Sequence, residues 1–155
     1  MSPSQTRSMV FTGLLGLLGT SVSPIEAEPL NHGGSTVSQT NIVMDVEGKS
    51  VTVALDDSAA TRDFLAQLPI TLTFDDYHGI EKVSDLPEKL SVEGAPAGFD
   101  PEKGSFTYYA PWGNLAIFYR DFGYSRSLVN LGTVTSGLEH LTASQSFTAT
   151  IRVVD

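Results

Sequence analysis

From Thr40 onward several stretches of the chain carry apolar residues at every second position. Ile42, Met44 and Val46 alternate with Asn41, Val43 and Asp45, and Val51, Val53 and Leu55 alternate with Thr52, Ala54 and Asp56. A period of two puts every second side chain on one face of a strand. The intervening Glu47, Gly48 and Lys49 supply a turn, so this stretch predicts an antiparallel hairpin. "ITLTFDDY" predicts a further strand with Ile70, Leu72 and Phe74 on one face. The end of the chain predicts another, with Phe147, Ala149, Ile151 and Val153 opposite Thr148, Thr150, Arg152 and Val154.

One segment changes period. In "DDSAATRDFLAQLP", Ala60, Phe64 and Leu68 recur every fourth residue and Leu65 widens their stripe, as on an amphipathic helix. Asp57 or Ser58 can cap its start with a side-chain oxygen, and Pro69 stops it. Residues 78–104 carry Pro87, Pro96 and Pro101 and predict short strands and ordered loops. "DPEKG" predicts a turn with Pro101 second and Gly104 at its end. Ser136 and Glu139 have capping-box spacing, which predicts a single helical turn in "LGTVTSGLEHLTA". Many short strands with one main helix predict a mainly β fold, a small closed barrel over residues 40–155.

The densest aromatic run is "YYAPWGNLAIFY", Tyr108 to Tyr119. Pro111 presets φ and Gly113 tolerates a positive φ, which predicts a three-residue hairpin loop with a bulge. In that register Tyr108 faces Ala116 and Phe106 faces Phe118. Both faces of the pair are apolar, so both should be covered. The strand aromatics Phe106, Tyr108 and Phe118 read as core. Trp112 at the tip reads equally as core or as a ligand platform. The candidate binding residues are Tyr109, Trp112, Tyr119 and Arg120, aromatics at a turn beside a cation.

Composition narrows the function classes. The chain has 155 residues and a net charge of −9, with nine scattered Lys and Arg and no basic run, which argues against nucleic acid and against an anionic membrane surface. There is no Cys, which removes thiol catalysis, thiolate metal sites and disulfides. There is no G-x-S-x-G, and His32, His78 and His140 are far apart in sequence, so no catalytic residue is assigned. Asp75, Asp76 and His78 in "DDYHG" could ligate a metal, but a strand-end turn with solvated acids accounts for them. No metal or cofactor is expected. Adjacent acids in a strand point to opposite faces and make poor catalytic pairs.

The first residues read as an address. Arg7 precedes a short apolar stretch from Met9 to Leu18, small residues follow, and Ala27 stands before Glu28. That is the layout of a secretory signal peptide over residues 1–27, with a flexible leader over 28–39. The apolar stretch is shorter than the ~20 residues a membrane span needs. The mature domain is therefore expected in the periplasm or outside the cell, with no membrane insertion after cleavage. The other readings are a retained anchor helix or a wrongly assigned start.

The order "VEGKSVTVAL", "DDSAATRDFLAQLP", "YHGIEK", "GSFTYYAPWGNLAIFY" and "LGTVTSGLEHL" resembles the bacterial cyclophilin-like fold family, a group of small barrels. The resemblance covers residues 40–155 and implies a closed eight-stranded β-barrel with helices at its ends. True cyclophilins are peptidyl-prolyl isomerases. They carry F-H-R-V-I and F-M-x-Q-G-G motifs, whose Arg donates to a twisted prolyl peptide. Neither motif is present, and Arg62, Arg120, Arg126 and Arg152 stand in other contexts. The expectation is a cyclophilin-like module that binds a peptide or small molecule without catalysis. A divergent prolyl isomerase is the alternative.

Overall fold

A computed structural model of the protein describes residues 39–154, together with the isolated Gly16 and Gly19. The expected signal peptide, apart from Gly16 and Gly19, and the expected leader, apart from Gln39, lie outside the described residues. The chain divides into two units, Met1–Gly34 and Ser35–Asp155, and the fold described is that of the second. No helix among the described residues is long and apolar enough to cross a membrane.

The alternating segments form the strands. β1 (Thr40–Val46) and β2 (Lys49–Leu55) pair antiparallel, with Val46 opposite Lys49. Glu47 and Gly48 both have positive φ, 52° and 81°, the signature of a two-residue hairpin turn whose twist matches the strands. α1 (Ala59–Ala66) follows, capped by the Ser58 side chain, which accepts from Thr61 N–H. The remaining elements are β3 (Ile70–Tyr77), β4 (Glu81–Asp85), β5 (Gly98–Phe99), β6 (Ser105–Tyr109), β7 (Asn114–Phe118), β8 (Ser125–Arg126), β9 (Leu128–Ser136), α2 (Leu138–Leu141) and β10 (Ser146–Val153).

Eight strands close into an antiparallel barrel in the order β1-β10-β3-β4-β7-β6-β9-β2. Closure leaves no unpaired edge. Every second residue points inward to one core that includes Ile42, Val53, Phe74, Phe106, Leu115, Leu131 and Ile151. α1 connects β2 to β3 and α2 connects β9 to β10, so they cap opposite ends. Phe64 of α1 meets Phe106 at 5.7 Å between ring centroids, and Leu141 of α2 is fully buried in the same core.

The aromatic hairpin differs from the sequence reading by one residue. Tyr109 pairs with Asn114, Tyr108 with Leu115 and Phe106 with Ile117. The loop holds four residues, Ala110–Gly113, because Tyr109 O accepts from both Trp112 N–H (3.3 Å) and Gly113 N–H (2.9 Å). Ala110 N–H donates to Ser127 O instead of pairing across the hairpin. A one-residue slip exchanges faces on one strand relative to the other. Phe106 and Tyr108 therefore share the interior with Leu115 and Ile117, while Tyr109, Ala116 and Phe118 share the outer face.

Two other local readings are corrected. Ser105 N–H donates to Glu102 O with Gly104 at φ 95°, so the turn centres on Lys103 and Gly104 and Pro101 precedes it. α2 has no capping box: Gly137, at φ 82°, occupies the cap position while Ser136 still belongs to β9.

Residues 119–127 form a strap over the outer face of the barrel. β8 within it pairs with β5 in a separate two-stranded sheet. Phe122 N–H donates to Pro101 O and Ser127 N–H to Ala97 O, both within 3.0 Å. Asp121 Oδ1 accepts from Lys103 N–H at 2.8 Å. A Cβ at Gly98 would collide with Ser125 O, so only glycine allows this close approach. The strap and the outer face enclose a second apolar cluster of Ala116, Phe118 and Leu128, with Ile80, Val83, Phe99 and Tyr109 against it.

Candidate functional site

Next to that second cluster, the outer face of β3, β4, β7 and β6 and the strap leave a pocket of about 360 Å³. Strand parity puts its wall together. With Leu72 and Phe74 inward on β3, Tyr77 faces out. Glu81 of β4 lies directly between two aromatic cross-strand partners, Tyr77 on β3 and Phe118 on β7. Tyr109 comes from β6, Trp112 from the hairpin turn and Phe122 from the strap.

The rings are ordered against one another. Trp112 stands edge-on to Tyr109 at 5.4 Å and to Tyr77 at 5.9 Å, spanning from the hairpin tip to β3. Phe118 and Phe122 stack at 6.1 Å, and His78 stands edge-on to Tyr77 at 4.3 Å. Such offset and edge-to-face contacts each add roughly 0.5–1.5 kcal/mol beyond area burial. Trp112 is nevertheless 60% exposed and Phe122 48%. Both rings face solvent on one side.

Among the polar residues on this wall, Asn114 and Glu81 carry oxygens without a partner among the described residues. Asn114 is buried, and its Oδ1 has no partner among the described residues, although its Nδ2 donates to Leu115 O. Glu81 is half-buried, and its carboxyl makes no hydrogen bond or ion pair among the described residues. Burial pushes that carboxyl up to about 7. An acid with nothing to stabilise its charge keeps its proton longer.

Of the four candidate residues, Tyr109 and Trp112 line the pocket and Tyr119 and Arg120 do not. Tyr119 donates its hydroxyl to Asp76 Oδ1 at 2.5 Å. Asp76 also pairs with Lys82 Nζ at 3.2 Å and accepts from Gly79 N–H at 2.9 Å. Lys82, 1% exposed, donates further to Ser144 O and Gln145 O, which ties the α2 end of the barrel together. The Tyr119 hydroxyl, then the Gly79 amide and Lys82, hold Asp76 below its ordinary value against the cost of burial. Burial and the bond to Asp76 push the Tyr119 hydroxyl up to about 12. Tyr119 is thus a strut of the barrel. Arg120 is exposed on the strap and pairs with no acid among the described residues.

This also corrects the reading of "DDYHG". Asp76 is not a solvated acid but the centre of this knot, and no cluster fit to hold a metal occurs among the described residues. The sequence reading missed Tyr77, Glu81 and Phe122 as pocket residues. A signal was present: once Leu72 and Phe74 point inward, Asp76 must follow them and Tyr77 must face out.

Residues 44–152 match the Cyclophilin-like family. The chain belongs to this family. No curated protein matches the chain. Among solved structures, the cyclophilin-like barrel is similar to the solution structure of the hypothetical protein AF2241 from Archaeoglobus fulgidus. The TM-score is 0.61 at 15% identity, over 78% of this chain and 99% of that one. At that identity the likeness is one of fold. The eight-stranded closure and the helix at each end agree with the expectation drawn from the sequence.

Proposed function

We propose that this cyclophilin-like barrel is an extracytoplasmic binding module that takes a peptide or small ligand in the outer-face pocket, without isomerase chemistry. One observation carries the reading: Tyr77, Trp112 and Phe122, three of the large apolar side chains left exposed, converge on one apolar pocket. Exposed aromatics gathered around a concave site are what a ligand covers. The ionisable groups on its wall are Tyr77, His78, Glu81 and Tyr109. With no guanidinium among the lining residues, the wall lacks the donor with which cyclophilins engage a twisted prolyl amide. The charged, apolar and small-residue layout of residues 1–27 supports export to the periplasm or beyond.

Trp112 is the protein's one tryptophan and sits on the pocket, so its emission reports occupancy. Nile red, a neutral apolar dye, should bind with enhanced emission and perturb Trp112 fluorescence. Trp112→Ala should weaken it about tenfold while the protein stays folded, with a modest loss of about 1 kcal/mol from the two edge contacts to Tyr77 and Tyr109. Equal dye binding in Trp112→Ala, or none in the native protein, overturns the reading. A protease-coupled assay on a proline tetrapeptide should show no acceleration over buffer. A rate above buffer that is lost in Trp112→Ala would favour the divergent isomerase.

A further inference from the structure

The chemistry of the pocket is specific beyond its shape. Its aromatic rings come from β3, β6, β7, the hairpin turn and the strap, and one acid, Glu81, lines the pocket with them. Glu81 is held between Tyr77 and Phe118 by backbone register, not by a flexible loop. Directly opposite residues on an antiparallel pair bring their side chains within about 5 Å at Cβ. Its chain neighbour Lys82 points the other way, into the barrel, and spends its ammonium on Asp76, Ser144 O and Gln145 O. No Lys or Arg lines the pocket. Tyr77 and Phe118 lie opposite Glu81, and the pocket wall also carries His78, Tyr109, Trp112 and Phe122. The strap's own charges, Arg120, Asp121 and Arg126, do not line the pocket.

Resting on the reading of this pocket as a binding site, we infer that its ligand is an organic ammonium ion, a tertiary or quaternary alkylammonium group whose charge lies against Glu81 and whose alkyl groups lie against the rings. Aromatic faces attract a cation through their quadrupole, and most strongly where water is displaced. The same rings accept the alkyl groups, which a bare metal ion or a hydrated ammonium would not offer. A carboxylate in an apolar pocket without a cation is costly to keep charged. The ligand supplies that missing cation. Because burial holds the Glu81 carboxyl near 7, ligand charge and Glu81 ionisation are linked. The net charge of −9 favours approach of a cation and disfavours an anion.

Calorimetric titration with choline and with its neutral carbon isostere, 3,3-dimethylbutan-1-ol, tests this in the native protein without any variant. Choline should bind at least about tenfold tighter than the isostere, a difference set by charge alone. Glu81→Gln should cut the preference to the few-fold that the rings alone supply, and should change the isostere's affinity far less than choline's. Lowering the pH from about 8.5 to about 5.5 should weaken choline by about tenfold or more as Glu81 takes up its proton, and leave the isostere unaffected. Equal affinities for the two probes overturn the ammonium assignment while leaving the pocket as a binding site. Failure of both probes to bind overturns the assignment, and the Nile red titration decides separately whether the pocket reading falls with it. A pH dependence that survives in Glu81→Gln comes from another group and also overturns it.

Discussion

Glu81 and Lys82 are neighbours on one strand and meet opposite environments. Lys82 turns into the barrel and ends in a knot where every charge is answered: Asp76, Tyr119, Gly79 N–H and two carbonyls of the loop after α2. Glu81 turns outward into an aromatic pocket where no partner among the described residues answers it. The two carboxyls respond in opposite directions. Asp76 is held below its ordinary value by its partners, and Glu81 is pushed up to about 7 by burial without them. A fully partnered buried group serves the fold, whereas an unpartnered one in a cleft is a candidate for function, which is the basis of the proposed binding role.

The contrast can be broken from either side. The larger effect is expected at the knot. Lys82→Ala leaves the Asp76 carboxylate without its cation and two carbonyls without their donor, and breaking such a buried pair costs about 3 kcal/mol. Urea unfolding should show this as a lower midpoint, and a midpoint equal to that of the native protein would mean the knot contributes nothing. The smaller effect is expected at the pocket, with the opposite sign. A raised folded value means that the unfolded chain ionises Glu81 from about 4.5 upward while the folded protein resists until about 7. Stability from this group is therefore full at low pH and is lost as pH rises through 7. Glu81→Gln should stabilise the protein at about pH 8 and leave it unchanged at about pH 4. The gain should be about 1 kcal/mol, because solvent reaches the half-buried group and screens it. Thermal melts at the two pH values check both the sign and the window.

Much of the frame was legible because period two is a direct consequence of strand geometry. β3 and β10 alternate cleanly, β1 and β2 do so apart from the buried Val43 and Ala54, and Ser58 before a four-residue repeat marked α1. The hairpin register was not legible. Pro111 and Gly113 are compatible with loops of three or four residues, and the choice is made by Ala110 N–H bonding to Ser127, a partner 17 positions further along the chain. That single step moved Phe118 from the expected interior face to the outer wall. Tyr109 and Trp112 were visible as candidates because aromatics at a turn stand out in any register. Tyr119 and Arg120 were grouped with them by proximity in sequence, but strand parity sends the Tyr119 hydroxyl to Asp76 instead. Glu81 was invisible because an acid in "GIEK" looks like any solvated strand end. Its meaning comes from Tyr77 and Phe118, which lie beside it only once the barrel has closed.

The most direct test of this two-sided account is a carbon-detected NMR titration of the side-chain carboxyl groups in the folded protein. The account predicts Glu81 titrating at about 7 and Asp76 below its ordinary 3.8 in the same sample. Glu81 titrating near its ordinary 4.5 would contradict it.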